Sequence, residues 1–364
     1  MRVTNTYLFL IMSAILALIT PPVYCLTPKE AYILGLLYHE EGDFVPSVNI
    51  MKQLTPLGRA PSLISLHALR TMHWQEASAF YSPDFWWYDK DIVGKKIFIK
   101  HDGGAGDAVQ FLRYAQHLHN AGAYVMIETP PVLKHIYSRC AYIDQQIPYG
   151  SSAPDADVTI TIATPVLTYT VRNDIKRCKN DVPYIVADPE LCHHWRMVLA
   201  QLPGKKIGLS WCSSPLYNND TGEKLPTPRS IPLALCEELL SYSPCTFINL
   251  QCGYGSEQLT EVRHCPIVFQ NIDTHHGRFM DTMAIMCNLD LLITIDTSLA
   301  HIAGALGIPV WVILPKCSDF RWFTDRTDSP WYPSMRIFRQ KPYEDWKPVL
   351  TEVLTALKAL YHDN

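Results

Sequence analysis

The stretch Leu289–Leu314, LDLLITIDTSLAHIAGALGIPVWVIL, decides the fold that the sequence predicts. Its first part, Leu289–Ile295, is an apolar run of the length of a buried strand, and Val310–Leu314 is a second such run. Between them, Leu299–Leu306 has the small and apolar residues of a tightly packed helix, which a Gly-Ile-Pro sequence ends. Two strands joined through a helix by short loops form a βαβ unit, so we predict an α/β fold with a parallel sheet.

The turn before this helix has the features of an anion-binding site. Asp296, Thr297 and Ser298 carry the oxygen-bearing side chains that are preferred at a helix N-terminus. The free N–H groups of that terminus would lie at the carboxyl end of a strand, where open α/β sheets bind their ligands. We therefore predict a phosphate site here, with His301 one turn into the helix. Two simpler interpretations stay open: Asp296 only caps the helix, and His301 is a buried, hydrogen-bonded histidine.

A glycine-rich turn follows another predicted strand, Lys95–Lys100. Its glycines, Gly103, Gly104 and Gly106, would let the backbone approach a ligand closely because they lack side chains. Asp107 comes next, where a second predicted helix begins. The simplest interpretation of Asp107 is a helix cap.

Several motifs, in the same order along the chain, carry a family resemblance. Residues 296–311 resemble the donor-site segment of heptosyltransferase-like glycosyltransferases. They are closer still to the catalytic domain that follows tetratricopeptide repeats in bacterial relatives of the protein O-GlcNAc transferases. Residues 104–114 match the G-x-G-D-x-[IV]-Q-F-x-R-Y segment of this family. Three further motifs resemble its members: R-S-I-P-L at 229–233, D-F-R-W at 319–322 and D-S-P-W-Y-P at 328–333.

The resemblance, which covers roughly residues 85–357, implies a fold and an activity. The implied fold is the GT-B architecture, an α/β fold with two Rossmann-like domains that face a cleft. The implied reaction is metal-independent and needs no cofactor: a hexose- or heptose-like sugar moves from a nucleotide-diphosphate sugar to a hydroxyl of a glycan, a lipopolysaccharide-like molecule or a protein. Two alternatives stay open, a non-catalytic glycan- or protein-binding module on a degenerate transferase fold, and a nucleotide-sugar epimerase.

The resemblance also assigns roles to residues. Asp107 would be the general base that takes the proton of the acceptor hydroxyl. Arg229, at the mouth of the cleft, would bind the diphosphate together with the Thr297–Ser298 helix terminus and His301, unless it forms only a salt bridge. Gln251, at the end of a predicted strand, would contact the base or the ribose.

Three other motifs receive a structural interpretation. Asp281 and Thr282 are expected mainly to cap the helix before the central strand, with donor contact as the alternative. The D-x-D pair Asp155 and Asp157 precedes a strand, so we do not interpret it as a metal site. The D-F-R-W and D-S-P-W-Y-P motifs are interpreted as a Trp-rich loop that packs over the cleft.

The chain is divided into five predicted segments. Residues 89–185 would form a Rossmann-like acceptor domain, residues 186–345 the nucleotide-sugar domain, and residues 346–364 a closing helix. Residues 28–84 are expected to be helical and similar to a tetratricopeptide repeat, although a plain helical hairpin is the alternative. Because one repeat cannot bury a continuous core alone, it would pack on the main domain or on a protein partner.

Composition and the first residues limit partners and location. The chain has 364 residues, 18% of them charged, and a formal net charge of −4, so nothing indicates nucleic-acid binding. Residues 1–25 resemble a signal peptide or signal-anchor, which predicts export or membrane association. Eleven cysteines without a C-x-x-C pair are instead typical of reduced thiols. If the first segment is not used, the expected location is the cytoplasm.

Overall fold

The computed structural model describes residues 92–101, 103–161, 182–217, 224–324, 326–342 and 344–361. The segments predicted at 1–25 and 28–84 therefore lie outside the described residues, and both stay predictions. No helix in the described ranges is both long and apolar enough to cross a membrane.

The first half of the described chain contains a four-stranded parallel sheet with one long helix. Its strands are β1 (Lys96–Lys100), β2 (Tyr124–Thr129), β3 (Gln145–Pro148) and β4 (Val158–Thr161), in the order β3-β2-β1-β4. Its helices are α1 (Ala105–Asn120), the 3-10 turn Pro131–Leu133 and α2 (Lys134–Tyr137). The long helix α1 follows β1 directly, so its first turn lies at the carboxyl edge of the sheet.

The second half begins with α3 (Pro189–Leu199) and contains a five-stranded parallel sheet. The sheet has the order β11-β10-β9-β5-β8, and its strands are β5 (Lys205–Ser210), β8 (Cys245–Asn249), β9 (Leu291–Ile295), β10 (Val310–Leu314) and β11 (Met335–Arg339). A short hairpin pairs β6 (Leu216–Tyr217) with β7 (Lys224–Leu225). The helices are α4 (Glu237–Leu240), α5 (Met280–Met286), α6 (Ser298–Leu306) and α7 (Trp346–Leu360), with 3-10 turns at Leu233–Cys236, Ser256–Glu261 and Phe320–Trp322.

The predicted βαβ unit is present, and the α/β class with parallel sheets is confirmed. Every residue of β9 and β10 is buried, as expected for strands covered by helices on both faces. The first strand starts at Leu291, two residues later than predicted, and α6 starts at Ser298, one residue earlier. Gly307, with a φ of +77°, ends α6 in the left-handed conformation that glycine adopts without steric cost.

A buried arginine joins the two halves behind the cleft. Arg113 of α1 is fully buried, and its guanidinium donates to the carbonyl of Trp331 at 2.8 Å and to the hydroxyl of Tyr184 at 3.2 Å. The rings of Tyr184 and Tyr332 flank it at 4.7 and 4.9 Å. Trp331 and Tyr332 of the D-S-P-W-Y-P motif are therefore buried between the halves, whereas the sequence placed this motif over the cleft.

The cysteines among the described residues are all free thiols. Cys140, Cys212, Cys236 and Cys245 are buried, and burial raises the pKa of the Cys140 thiol to about 11. Cys287 is exposed at the end of α5.

Candidate functional site

The first turn of α1 holds Asp107, and its carboxylate has two partners. One oxygen, Oδ2, accepts from the backbone N–H of Gly104 at 2.8 Å, so Asp107 does cap the helix. The other oxygen, Oδ1, accepts from Nη2 of Arg321 at 2.5 Å. The helix begins at Ala105 rather than at the predicted Asp107, and this places the Asp107 carboxylate within the first turn.

The glycines of this turn are explained by contacts within the protein. A Cβ on Gly103, whose φ is +87°, would lie 2.8 Å from Oδ2 of Asp107. A Cβ on Gly106 would lie 3.0 Å from Cδ2 of His301 and 3.6 Å from the backbone nitrogen of Ser298. The sequence suggested that the glycines admit a ligand, whereas the structure shows that Gly106 admits the first turn of α6.

Arg321 is the central charged group of the site, and sequence analysis missed it. It belongs to the D-F-R-W motif, which we had interpreted as part of a loop packing over the cleft. Besides Asp107, it donates from Nε to Asp319 at 2.8 Å and from Nη1 to Oε1 of Gln110 at 3.0 Å. Nη1 also lies 3.5 Å from Nε2 of His301, and the residue is 9% exposed. A charged residue among aromatic residues, in a family-specific motif, was the signal that could have identified it.

The Arg321 contacts determine the charge of Asp107. Burial raises the pKa of this carboxyl, but the guanidinium of Arg321 and the Gly104 N–H together lower it further, so the pKa lies below its ordinary value. For Arg321, burial lowers the pKa, and the carboxylates of Asp319 and Asp107 raise it above the ordinary value. Both groups are therefore ionised at neutral pH.

His301 is a neutral side chain buried beside Arg321. It is 2% exposed, and burial followed by the charge of Arg321 lowers its pKa well below the ordinary value. A guanidinium only donates, so Nε2 accepts from Arg321 and Nδ1 carries the hydrogen towards the Tyr332 hydroxyl at 2.9 Å. The ring stacks on Trp322 with a centroid distance of 5.3 Å. His301 is thus a buried, hydrogen-bonded histidine at the edge of the cleft.

Arg229 faces Asp296 across the carboxyl edge of the second sheet. Nη1 of Arg229 lies 3.7 Å from Oδ2 of Asp296, and the arginine side chain is 43% exposed, so the ion pair is loose. Burial raises the pKa of Asp296. Three hydroxyls hold the arginine's turn in place: Oγ of Ser213 lies 2.6 Å from Oγ1 of Thr227, and the Ser213 N–H donates to Ser230 at 3.2 Å.

The N-terminus of α6 is open towards the cleft. Thr297 is its N-cap residue, but its side chain makes no capping hydrogen bond, and its buried Oγ1 has no hydrogen-bond partner among the described residues. The first N–H groups of a helix also lack partners within the helix. Thr297 and Ser298 therefore offer a hydroxyl and backbone donors, together with the positive end of the helix dipole, to an anion.

Gln251 is held by hydrogen bonds within the protein, and its predicted contact with a base or ribose stays a prediction. Its Oε1 accepts from the Ser210 hydroxyl at 2.9 Å and from the N–H groups of Trp211 and Cys212 at 3.2 and 2.9 Å. Its Nε2 donates to the carbonyl of Tyr254 at 2.7 Å. Gln251 thus fixes the loop that follows β5, and a single Nε2 hydrogen is left for any contact with a base or ribose.

The loop before α5 is fixed by a similar network. Asp281 is 4% exposed; it accepts from Nε1 of Trp195 at 3.0 Å and from the N–H of Asp273 at 3.0 Å. Asp273 in turn accepts from the N–H of Thr282 at 3.0 Å. Asp273 and Phe279 have φ angles of +61° and +70°, so these contacts hold the loop in a strained conformation. Asp281 and Thr282 therefore fix this loop and do not cap α5 as predicted, because the N-cap residue is Phe279 and no side chain caps the helix.

Two cavities open side by side along this edge of the molecule. The carboxylate cavity, about 350 Å³, is lined by both halves and contains Asp107, Arg321 and Asp296. The loop cavity, about 380 Å³, is lined by the second half, including Gln251 and the 273–282 loop. Four residues line both of them: Ser213, Ser214, Thr297 and Ser298. Of the predicted site residues, the carboxylate cavity brings together Gly104, Gly106, Asp107, Arg229, Asp296, Thr297, Ser298 and His301.

The D-x-D pair lies at the opposite edge of the first sheet. Oδ2 of Asp157 accepts from the N–H of Lys96 at 2.8 Å, and Asp155 forms an exposed ion pair with the same lysine at 3.4 Å. Both aspartates precede β4, at the amino edge, whereas Asp107 follows β1 at the carboxyl edge. Within the described part of the chain, no group of three or more His, Cys, Asp or Glu residues could hold a metal ion.

Comparison with known proteins gives a fold and one distant relative. No family model matches the chain. Protein FlbA of Caulobacter vibrioides is 26% identical over 307 residues, which cover 78% of this chain and 50% of FlbA. The chain therefore spans about half the length of this curated relative.

Two solved structures resemble the chain at low sequence identity. The glycosyl transferase family 9 structure from Veillonella parvula has a TM-score of 0.51 and 12% identity, and covers 75% of this chain and 98% of that one. This likeness shows a shared α/β fold. The ADP-heptose lps heptosyltransferase II of E. coli has a TM-score of 0.46 and 13% identity, and covers 73% of this chain and 98% of that one. The resemblance to the tetratricopeptide-associated branch stays a prediction.

Proposed function

We propose that this chain is a glycosyltransferase that moves a sugar from a nucleotide-diphosphate sugar to a hydroxyl group of a glycan or protein acceptor. One observation carries the proposal. A carboxylate in the first turn of α1 and the open N-terminus of α6, from opposite halves of the molecule, line the same cavity. An ideal Cβ on Gly106 would lie 3.6 Å from the Ser298 nitrogen, so a base and an anion site lie side by side.

The two cavities suggest how the donor lies. The diphosphate would bind where the cavities meet, at Thr297 and Ser298, because the helix N-terminus and the unpartnered Thr297 hydroxyl favour an anion there. The nucleoside would extend into the loop cavity, whose walls are fixed by Gln251 and Asp281. The sugar would then face Asp107 in the carboxylate cavity.

The residues around Asp107 supply the chemistry of transfer. The ionised carboxylate takes the proton of the acceptor hydroxyl while that oxygen forms a bond to the anomeric carbon of the sugar. The bond between this carbon and the phosphate oxygen breaks, and its electron pair leaves with the diphosphate. Arg229 and the α6 N–H groups stabilise the negative charge that develops on the leaving group. These groups make a mechanism without a metal ion chemically complete.

A thermal-shift titration of the full chain tests the donor site. The ligands are ADP, UDP, GDP, CMP and their common sugar conjugates, and a ligand at a hundred times its dissociation constant adds about 2.7 kcal/mol of stability. We expect one nucleotide class to raise the melting temperature, and Arg229→Ala to remove the shift. Arg263→Ala, at an exposed position outside both cavities, is the matched control. If no nucleotide shifts the melting temperature, the proposal is wrong.

A turnover assay separates the enzyme from a non-catalytic binding module on the same fold. The nucleotide sugar identified by titration is incubated with the chain and with candidate glycan and protein acceptors, and release of nucleoside diphosphate is followed. Release that depends on Asp107 supports the transferase. Tight binding with no release, in the presence of every acceptor, favours the binding module.

A further inference from the structure

The base proposed above is not free in this structure. Both oxygens of Asp107 accept a hydrogen bond, one from Gly104 and the other from Arg321 at 2.5 Å. A carboxylate that is paired with a guanidinium is a weaker proton acceptor than a free one. Transfer therefore requires that the contact with Arg321 be loosened when the acceptor hydroxyl arrives.

Arg321 is attached so that part of its guanidinium can change partner. Asp319 accepts both from Nε of Arg321 at 2.8 Å and from its backbone N–H at 3.1 Å, which anchors the root of the guanidinium. The two outer nitrogens make the contacts across the cleft, Nη2 with Asp107 and Nη1 with Gln110. A small rotation about the Asp319 anchor would move both outer nitrogens together.

A diphosphate would lie within reach of these nitrogens. Nη1 is 3.5 Å from Nε2 of His301, which lies in the first turn of α6, and Arg321 lines the carboxylate cavity together with Ser298 and Arg229. Two phosphate oxygens match the planar fork of a guanidinium as well as a carboxylate does, and a diphosphate carries more charge. A donor at the α6 N-terminus would therefore compete with Asp107 for Arg321.

We propose that Arg321 is a positioning residue that exchanges partners when the donor binds. In the empty protein it holds Asp107, and in the donor complex its outer nitrogens turn to the diphosphate, which releases Asp107 to receive the acceptor hydroxyl. This inference rests on the function proposed above and adds an order to it: the donor binds before the acceptor, and the base becomes available only when the leaving group is in place. A site built this way also protects the donor cavity from unproductive acceptor binding.

Nucleotide affinity in four forms of the full chain tests the exchange without an acceptor. The forms are the unmodified chain, Asp107→Asn, Arg321→Met and the double variant, and the probes are ADP, UDP and GDP with their parent nucleosides, measured by calorimetry. Asparagine keeps an oxygen for the Gly104 N–H, so Asp107→Asn retains the helix cap. Arg321→Gln replaces the methionine variant if that variant does not fold.

The exchange predicts an affinity gain that depends on Arg321. Asp107→Asn removes the competitor, so the nucleoside diphosphate binds about tenfold tighter, the size of one charge-assisted hydrogen bond. The same substitution in the Arg321→Met background gives no gain in affinity for the nucleoside diphosphate. The affinity for the parent nucleoside is the same in all four forms.

Two results would overturn the exchange. One is an unchanged affinity in Asp107→Asn, and the other is an equal gain in both backgrounds, which would mean that Asp107 only repels the phosphate through space. If none of the three nucleotides binds the unmodified chain, the donor site itself is wrong, and the proposed function and the exchange both fail. Nucleotide binding by the unmodified chain therefore distinguishes the two failures: if it binds but the predicted gain is absent, only the exchange is wrong.

Discussion

The carboxylate cavity and the loop cavity have similar volumes and share the first turn of α6, but they are built differently. The carboxylate cavity is closed by charged side chains from both halves, and its central contact joins residues 214 positions apart in sequence. The loop cavity belongs to the second half, and hydrogen bonds to Gln251 and Asp281 hold its loops. The first depends on how the halves meet, whereas the second is a property of one half. Binding and chemistry should therefore be separable by mutation.

Asp107→Asn is expected to give the largest difference between the effect on turnover and the effect on nucleoside binding. If Asp107 is the base, its loss lowers the turnover rate by about 10² to 10⁴-fold, the range for one general base. The asparagine keeps the contact with Gly104, so the fold is retained, and nucleoside binding in the loop cavity is unchanged. Turnover of the nucleotide sugar and nucleoside affinity, measured on the same sample, check both parts. A turnover rate that stays within about twofold of the unmodified chain would remove Asp107 from the mechanism.

A second test of the difference between the cavities compares substitutions of two glycines in the same turn, Gly106 and Gly104. A methyl group at Gly106 would meet His301 at 3.0 Å and force the two helices apart, whereas one at Gly104 would meet Asp107 at 3.4 Å, an ordinary contact. We expect Gly106→Ala to lose about 1–3 kcal/mol of stability through overpacking and to lower turnover more than nucleoside affinity. Gly104→Ala is the matched control, and melting temperatures with turnover assays compare them. Equal effects of both substitutions would show that the closeness of α1 and α6 is not required.

The difference between the cavities also explains what the sequence could predict. The βαβ unit was predictable because the burial of β9 and β10 and the ends of α6 depend on neighbouring residues. The sequence also indicated that Arg229 and Asp296 lie near the same cleft, but it did not predict the contact between them. The Arg321–Asp107 contact was not predictable, because it depends on how the two halves meet.

Gln251 shows a second limit of sequence analysis. Its position at the end of a strand suggested a ligand contact, but which partner takes a side-chain amide depends on the path of the neighbouring loop. In the structure, Oε1 of Gln251 accepts a hydrogen bond from the loop that follows β5. Position along the chain therefore identified the right edge of the sheet, and the partner of each side chain came only from the structure.

Substitution of Gln251 should affect the loop cavity first. Gln251→Ala leaves the N–H groups of Trp211 and Cys212 without their acceptor, and an unsatisfied buried donor costs about 1–3 kcal/mol. We expect a lower melting temperature and weaker nucleoside binding, with a smaller change in the turnover rate at saturating donor. Calorimetric unfolding and nucleoside titration measure the first two effects. A variant that keeps nucleoside affinity but loses turnover would reverse the assignment of the two cavities.

The smallest expected effect is a difference between the unmodified chain and His301→Gln in how the free energy of unfolding depends on pH. His301 has a lowered pKa in the folded chain, so between that value and about 6.5 the unfolded chain binds more protons than the folded one. The stability that neutral His301 provides is therefore full above about pH 6.5 and is lost as the pH falls below it, by up to about 1.4 kcal/mol per pH unit. His301→Gln removes this titration while retaining a polar side chain. The unfolding free energies of the two forms should converge as the pH falls from 7.5 to 5.5. Parallel curves would mean that His301 has the same pKa in the folded and the unfolded chain, and this would contradict the prediction.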